Sequence, residues 1–257
     1  MQYIPEPHRR YDIRMVTSQD QGAIRDLIHD TRRVHRHLDW LDESTYLTMG
    51  PAAAAYTNEK PAAVLACPPE APGTAWIRIF GVHPGVSPST TLRILLDATA
   101  SRLQEQSVHT TAVMVLADWF NRAVSEAGFR LVDHVVFLEL DLPNHNCLAV
   151  PDLHIRPFLP QDLEAIQHVD QEAFSSIWRH SLFSLESAVH RGSYVTVYES
   201  GTAIIGYQIS SQNAFGAHLA RLAVLPEAQG KGVGTSLVQD LLDHFSRSGL
   251  FRITVNT

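Results

Sequence analysis

Three glycines at alternate positions carry the clearest chemical meaning in this 257-residue sequence. Gly230, Gly232 and Gly234 lie between an apolar strand pattern and an apolar helix pattern. The start of a helix leaves backbone N–H groups without partners and carries positive potential, which attracts anions. Glycine has no Cβ to keep a phosphate at a distance, and Lys231 adds charge at the rim. The spacing therefore predicts a loop that binds a phosphate-bearing ligand.

Two common phosphate-binding motifs do not match this loop. The Walker A motif requires Lys followed by Ser or Thr, whereas Lys231 is followed by Gly232. The dinucleotide fingerprint requires glycine at its sixth position, and counting from Gly230 that position holds Thr235. The loop therefore needs an explanation of a different kind.

The elements that position the loop belong to an internal repeat. "YDIRMVTSQDQGAIRDLI" begins at Tyr11 and "LHIRPFLPQDLEAIQHVD" begins at Leu153, an offset of 142 positions. At the same offset, "AWIRIFGVHP" falls on "AHLARLAVLP", and "TAVMV" falls on "ITVNT". Three matches at one offset without a gap indicate a duplicated domain.

The second copy has alternating and helical apolar patterns that predict its elements. The predicted strands are 195–198, 203–210, 217–224 and 251–255, and the predicted helix is 233–245. We therefore expect an α/β fold with two tandem domains, 1–142 and 153–257, each a mostly antiparallel mixed sheet flanked by helices. The linker is predicted at 143–152, where prolines interrupt any periodicity.

The first copy continues beyond the end of the match with a predicted helix closed by Gly128 and then two predicted strands. The second copy has no counterpart of these 27 residues, 116–142. We therefore expect the second domain to be incomplete at its C-terminus and the natural protein to be longer.

Composition and sequence pattern disfavour several kinds of partner and cellular location. The chain has 20 basic and 27 acidic residues, a net charge of −7, which disfavours nucleic acid as a partner. No apolar stretch approaches the roughly 20 residues of a membrane span, so no membrane partner is expected. The two cysteines have no metal or disulfide spacing, and the N-terminus has no signal pattern; we expect a cytoplasmic protein.

No metal is expected either. His35 and His37 lie two positions apart on a predicted helix, so they do not face one site. The segment around them, "TRRVHR", is predicted to form an exposed basic helix face.

The segment "RLAVLPEAQGKGVG" resembles motif A of the GNAT superfamily of N-acetyltransferases. That motif is an apolar strand, then V-x-P, then [RQ]-x-x-G-x-[GA] opening a helix. Val224 and Pro226 occupy its first part, and Gln229, Gly232 and Gly234 its second. The resemblance extends over the predicted strand order of the whole second copy and more loosely over the first.

The resemblance implies acetyl-CoA as cosubstrate, with no metal. Main-chain groups of 222–224 would pair with the pantetheine arm, and amides of 229–235 would hold the pyrophosphate. The implied cofactor-binding residues are Leu222, Ala223, Val224, Gln229, Gly230, Lys231, Gly232, Val233, Gly234 and Thr235. An amine would attack the thioester directly in a ternary complex, so no enzyme nucleophile is needed.

The first copy has lost the features that this chemistry requires. Pro88, Thr90 and Leu92 stand where the second copy has its three glycines, and proline lacks an amide donor. Val124 stands where the family has a tyrosine that acts as general acid. We expect the first domain to be catalytically silent and to pack against the second as an intramolecular pseudo-dimer; a homodimer stays open.

The remaining site residues follow from position. His218 precedes Val224 by six residues on the predicted strand, where some family members have a glutamate base, so it is the candidate catalytic base. An ordinary histidine at a strand edge is the alternative. The predicted acceptor-pocket residues, with core packing as their alternative, are Phe174, Trp178, His180 and Tyr207.

The sequence thus favours an acetyl-CoA-dependent N-acetyltransferase with a small amine or a protein N-terminus as acceptor. The alternative is a non-catalytic acyl-CoA-binding or regulatory module that keeps the loop without turnover. The glycines alone do not separate the two, because they indicate only binding.

Overall fold

The structure, a computed structural model, describes residues 11–142 and 154–257. The chain divides into two compact units, Met1–Leu131 and Val132–Thr257. The predicted linker, 143–152, lies outside the described residues. No helix within the described ranges has both the length and the apolar character that crossing a membrane requires.

The first unit contains eight of the described strands and four of the described helices. Its strands are β1 (Asp12–Met15), β2 (Arg33–Arg36), β3 (Ala52–Thr57), β4 (Lys60–Ala66), β5 (Pro69–Ala71), β6 (Thr74–Trp76), β7 (Ile79–Val82) and β8 (Thr110–Ala112). Its helices are α1 (Gln21–Asp30), α2 (Glu43–Met49), α3 (Pro88–Glu105) and α4 (Asp118–Glu126). The sheets have the orders β1-β3-β4-β7-β2 and β5-β6-β8.

Helices cover both faces of the larger sheet because its central strands are apolar on both faces. In β3, Ala53 and Ala55 belong to one core cluster, whereas Ala52, Ala54 and Tyr56 belong to another. Successive side chains of a strand point to opposite faces, so an unbroken apolar strand requires cover on each side. α3 and α4 supply one cover, and α1 and α2 supply the other.

The second unit is built around one mixed sheet. Its strands are β9 (Phe137–Asp141), β10 (Ile155–Pro157), β11 (Tyr194–Ser200), β12 (Ala203–Asn213), β13 (Gly216–Val224) and β14 (Arg252–Asn256). Its helices are α5 (Leu163–Ala173), α6 (Leu182–Arg191) and α7 (Val233–Arg247). The sheet order is β10-β11-β12-β13-β14-β9, with only the β13–β14 pair parallel. The apolar face of α7 covers one side of β13 and β14 through Leu241 and Phe245.

The structure confirms the predicted mixed-sheet fold in both copies and the repeat that relates them. At the offset of 142 positions, α1 and α5 begin at equivalent residues, and α3 and α7 end at equivalent residues. The predicted strands and helix of the second copy are all present, with bounds that differ from the prediction by at most three residues. Among the elements that depart from the repeat, β2 of the first unit corresponds to a 3₁₀ turn, Ser176–Trp178, in the second.

The end of the first copy differs from the sequence prediction. Of the two strands predicted after Gly128, one is present, β9, and it pairs with β14 in the sheet of the second unit. The compact units therefore divide between Leu131 and Val132, whereas the sequence placed the domain end at residue 142. The alternation of apolar residues identifies a strand but does not show which sheet edge it joins.

We expect β9 to be required for the stability of the second unit. Leu142, which is 2% exposed, packs in the cluster that contains Leu241 and Ile253, and β9 covers the edge of β14. Losing a buried leucine of this kind costs about 2–5 kcal/mol. A chain that begins at residue 153 should therefore have a Tm lower by about 10 °C or more than a chain that begins at Val132. Circular dichroism melts of the two chains test this, and equal Tm values would contradict it.

Candidate functional site

The glycine loop follows β13 and has a backbone that only glycine adopts easily. A 3₁₀ turn, Pro226–Ala228, ends the strand, and α7 then begins at Val233. Between them Gly230 has φ 72° and Gly232 has φ 90°, both in the left-handed region. The Gln229 side chain donates from Nε2 to the Val224 carbonyl at 3.1 Å, which ties the loop to the end of the strand.

The amides at the start of α7 are available to a ligand. Gly232 is the N-cap residue, so no side chain caps the helix, and the first backbone bond here runs from Ser236 N to the Gly232 carbonyl at 2.9 Å. Within the part of the chain that the structure describes, no backbone acceptor is recorded for the amides of 230–235. These donors and the positive end of the helix dipole can hold an anion such as a pyrophosphate.

A cavity of about 390 Å³ opens over this loop. Its lining contains six of the ten predicted cofactor-binding residues: Val224, Gln229, Gly230, Gly232, Gly234 and Thr235. A Cβ added at Gly230 or Gly232 would have no atom within 4 Å, so both positions face open space. Lys231 is exposed, whereas the Val233 side chain is buried, so Val233 can offer only its main chain.

The strand before the loop has an unpaired edge. β13 pairs with β12 over nearly its whole length but with β14 only at 217–219, so its edge towards β14 is open from 220 to 224 among the described residues. A β-bulge opposite Ile209 and Ser210 places Ala220 at the point where the two strands separate. The open edge contains the three predicted strand residues Leu222, Ala223 and Val224, whose main-chain groups can pair with an extended ligand.

His218 lies where β13 and β14 separate. Its Nδ1 is 2.8 Å from Thr254 Oγ1, and that hydroxyl lies 3.4 Å from the Ala217 carbonyl. If the hydroxyl donates to Ala217, its oxygen accepts from Nδ1–H and leaves the Nε2 lone pair free. Burial lowers the pKa of His218 below its ordinary value of 6.5. The imidazole is therefore neutral at pH 7 and can accept a proton.

The four predicted acceptor-pocket residues lie close together on the opposite side of β13 from α7. Phe174, Trp178 and His180 form the segment after α5, and Tyr207 lies on β12. Tyr207 is 0% exposed, and its hydroxyl donates to Asp170 at 2.6 Å, so that hydroxyl is already used within the protein. Burial raises the pKa of Tyr207 well above 10, which keeps the hydroxyl a donor.

Sequence reasoning missed Asp170 and Arg221, the residues that join this cluster. The position of Asp170 in the sequence could have identified it. Together with Ile166 and Val169 it lies on the buried stripe of α5. A carboxylate at an apolar stripe position indicates a buried partner. Arg221 is that partner, with its guanidinium NH2 2.7 Å from Asp170. A sequence pattern does not pair them, because they are 51 positions apart.

The first unit has no equivalent of the glycine loop. Its helix α3 begins at Pro88, three positions earlier in the repeat than α7, so the helix replaces the loop. Ser87 caps this helix by accepting from the Thr90 amide at 3.4 Å. Pro88 has no amide, and Ser87 takes one of the remaining donors, which leaves a poor anion site.

The first unit also has no open strand edge at the corresponding position. β2 pairs antiparallel with β7 from Arg33 opposite Val82 to Arg36 opposite Ile79. These β7 residues correspond to the open part of β13 in the repeat. The chain itself therefore fills the edge that is free in the second unit, which favours a silent first domain.

The prediction of an exposed helix around His35 and His37 is wrong. Arg33–Arg36 is strand β2, and His35 is 4% exposed and stacked on Phe120 with ring centroids 4.3 Å apart. Burial lowers the pKa of His35 to about 4, so it stays neutral. Short β-branched and polar runs do not distinguish strand from helix, and tertiary pairing decides. Over residues 11–142 and 154–257, the structure contains no group of three or more His, Cys, Asp or Glu side chains that could hold a metal ion.

The second unit is similar in sequence to a known protein family. The model of the family described as "Acetyltransferase (GNAT) family" matches residues 163–257. An uncharacterized N-acetyltransferase of Methanocaldococcus jannaschii is 30% identical over 91 residues, which are 35% of this chain and 58% of that protein. The chain thus matches little more than half the length of that relative.

Solved structures resemble the chain over nearly its whole length. A GCN5-related N-acetyltransferase from Sphaerobacter thermophilus has a TM-score of 0.59 at 17% identity, covering 98% of this chain and 87% of that one. A tandem GNAT protein from the clavulanic acid biosynthesis pathway has a TM-score of 0.58 at 16% identity, covering 96% and 90%. At these identities the likeness shows the fold.

Proposed function

We propose that residues 163–257, which match the model of the GNAT acetyltransferase family, transfer an acetyl group from acetyl-CoA to a primary amine. The observation that carries the proposal is the combination of a glycine loop with free amides and an adjacent open strand edge. The first suits the pyrophosphate, and the second suits the amide-containing pantetheine arm. Both are present in the second unit and both are lost at the equivalent positions of the first.

The loop and the strand edge have separate tasks in binding acetyl-CoA. Amides of 229–235 bind the pyrophosphate, and Lys231 adds positive charge at the exposed rim. Main-chain groups of 222–224 bind the pantetheine arm and orient the thioester. The thioester supplies the activated acetyl group, so the protein needs only to bind, orient and move a proton.

His218 is the proposed general base. An amine is a nucleophile only when it is unprotonated, and the neutral His218 Nε2 can take the proton that the attacking nitrogen loses. Thr254 holds the opposite ring nitrogen, Nδ1, and so fixes the direction of the ring. The new C–N bond forms as the C–S bond breaks, and the sulfur leaves as CoA thiolate, which is then protonated.

The acceptor class that we propose is a small cationic amine or a protein N-terminus. The net charge of −7 favours a positively charged acceptor over an acidic one, because like charges repel during encounter. Among the predicted pocket residues, Trp178 offers an aromatic face, which attracts ammonium groups, while the Phe174 ring already lies under the Arg221 guanidinium.

A two-step experiment tests the proposal. Isothermal titration of the 257-residue chain with acetyl-CoA measures binding, and a thiol-release assay then measures turnover with spermidine, kanamycin, glucosamine and an alanine-starting peptide. Binding with turnover of at least one amine supports the transferase. Binding with no turnover of any amine would favour the non-catalytic acyl-CoA-binding module, and no binding would contradict both.

The same titration should give one acetyl-CoA site per chain. The first unit begins its helix at Pro88 and fills its strand edge with β2, so only the second unit retains both binding features. A stoichiometry of two would contradict the assignment of the first unit as silent. Mass spectrometry of the intact complex under native conditions provides an independent count.

A further inference from the structure

A fully buried carboxylate lies in the last turn of α5. Asp170 is 0% exposed, and it accepts from the Tyr207 hydroxyl at 2.6 Å, from Arg221 Nε at 2.8 Å and from the His180 amide at 2.9 Å. The negative end of the helix dipole disfavours a carboxylate at this position. Asp170 is therefore retained against two opposing effects, desolvation and the helix dipole, and its donors compensate for both.

Arg221 joins the same carboxylate to the segment after α5. Its side chain is 10% exposed, and its NH2 group donates to the Trp178 carbonyl at 2.6 Å. Its guanidinium carbon lies 3.6 Å from the centroid of the Phe174 ring. Arg221 is the first residue of β13 after the bulge and lies within the open edge, 220–224.

Two side chains thus contact every predicted acceptor-pocket residue. Arg221 contacts Phe174 and Trp178, and Asp170 contacts His180 and Tyr207. The segment 174–180 contains one 3₁₀ turn and no strand. Other hydrogen bonds also hold it, because Trp178 Nε1 donates to Asp133 at 3.2 Å and Arg179 Nε donates to the Phe174 carbonyl at 3.0 Å. The ion pair adds fixed points at positions 174, 178 and 180.

We propose that Asp170 and Arg221 are positioning residues that hold segment 174–180 beside the open edge of β13 and thereby determine which amine is accepted. The proposal rests on the proposed function, because the segment is the acceptor side of the site. Asp170 is fully buried and accepts hydrogen bonds from Tyr207, Arg221 and the His180 amide, so it is placed to hold these groups. Their effect on the reaction is exerted through Trp178 and His180.

Replacing Arg221 with Gln tests the proposal through Trp178. The chain has four tryptophans, and Trp178 is the only one in the second unit, so a 5-fluorotryptophan-labelled chain gives few ¹⁹F resonances. Trp178→Phe assigns the relevant one. In Arg221→Gln we expect that resonance to shift and broaden, while the resonances of Trp76 and Trp119 stay unchanged.

Arg156→Gln is the matched control. Arg156 lies in the same unit and forms an ion pair with the buried Asp162 at 2.6 Å, but its recorded partners are Asp162, Glu199 and the Pro157 carbonyl. The substitution removes the same charge from a comparable pair that does not reach segment 174–180. The Trp178 resonance should be unaffected in this variant.

Kinetics supply the functional measurement. With the best amine among the four tested, Arg221→Gln should raise KM for the amine by about tenfold or more, because misplacement of positioning groups by a fraction of an ångström weakens productive binding. The dissociation constant for acetyl-CoA should stay unchanged, because Arg221 contributes only its main chain to the open edge. Titration with acetyl-CoA measures this independently of any amine.

An apolar replacement separates positioning from stability. The triple variant Asp170→Leu/Arg221→Met/Tyr207→Phe removes both buried charges and the Tyr207 hydroxyl that donates to Asp170. Apolar replacements of a buried ion pair often restore or increase stability. We expect this triple variant to regain most of the Tm lost in Arg221→Gln but to keep the altered Trp178 resonance. If Arg221→Gln leaves the Trp178 resonance as it is in Arg156→Gln, the proposal is overturned. Failure of the proposed function is distinct, since it appears as lack of acetyl-CoA binding in the unsubstituted chain.

Discussion

Glutamate at position 232 is expected to abolish acetyl-CoA binding. Gly232 has φ 90°, a conformation that costs an L-residue about 1–2 kcal/mol. The new carboxylate would also lie at the start of α7, among the amides that are proposed to bind the pyrophosphate, and would repel it. Together these effects predict a loss of affinity of about a hundredfold or more, measured by isothermal titration.

Two further variants separate charge from backbone strain. Gly232→Ala introduces the strained conformation without a charge and should weaken binding by about tenfold, which corresponds to the strain alone. Gly201→Glu introduces the same residue at a glycine with φ 65° in the turn between β11 and β12, also with no atom within 4 Å of an added Cβ. It should destabilise the fold to a similar extent and leave acetyl-CoA affinity unchanged. Equal losses in Gly201→Glu and Gly232→Glu would show a general effect on folding and contradict the site.

The sequence predicted the fold well because two levels of regularity agree. Local periodicity locates strands such as β13 and helices such as α7, and the repeat at 142 positions transfers each assignment to the other copy. The loop lies between β13 and α7, where the sequence predicted it, and the structure adds that Gly230 and Gly232 are left-handed. Each of these features depends on residues close together in the chain.

The features that the sequence did not predict depend on distant pairing. β2 has a helix-like pattern and becomes a strand because β7 offers it an edge. β9 alternates as a strand should, yet its partner is β14, more than a hundred positions away. Similarly, Asp170 of α5 forms its ion pair with Arg221 of β13, 51 positions away. The local residue pattern limits which secondary structures a segment can adopt. Its tertiary partners then determine which of these forms and which strand or side chain it contacts.

Long-range features also distinguish the two copies. The presence of the glycine loop in the second copy and its absence from the first are local properties that the sequence itself shows. The open edge of β13 is a property of the sheet: residues 176–178 form a 3₁₀ turn and no strand, whereas their counterpart in the first copy pairs as β2. The first copy has Ile28 and Ile79 at the positions equivalent to Asp170 and Arg221, so it does not form this ion pair. The ion pair and the open edge therefore occur together in the second copy.

Alanine at position 218 is expected to reduce kcat by about a hundredfold to ten-thousandfold at pH 7 while acetyl-CoA affinity stays the same. The reduction follows if His218 Nε2 accepts the proton of the attacking amine. His190→Ala is a suitable control, because His190 is an exposed histidine of α6 in the same unit. Turnover of the amine found by the thiol-release assay measures both variants, and equal kcat values would exclude His218 as the base.

The dependence of kcat on pH provides a second test of His218 as the general base. Burial places the pKa of His218 below 6.5, and only the neutral ring can accept a proton. In the unsubstituted chain kcat should therefore be constant near neutral pH and fall as pH decreases through the pKa of His218, below 6.5. The fall should be absent from the residual activity of His218→Ala. Thr254→Val removes the hydroxyl that orients the ring at Nδ1 and should lower kcat by about tenfold while the dependence on pH remains. A fall in kcat that persists unchanged in His218→Ala would assign the titration to another group.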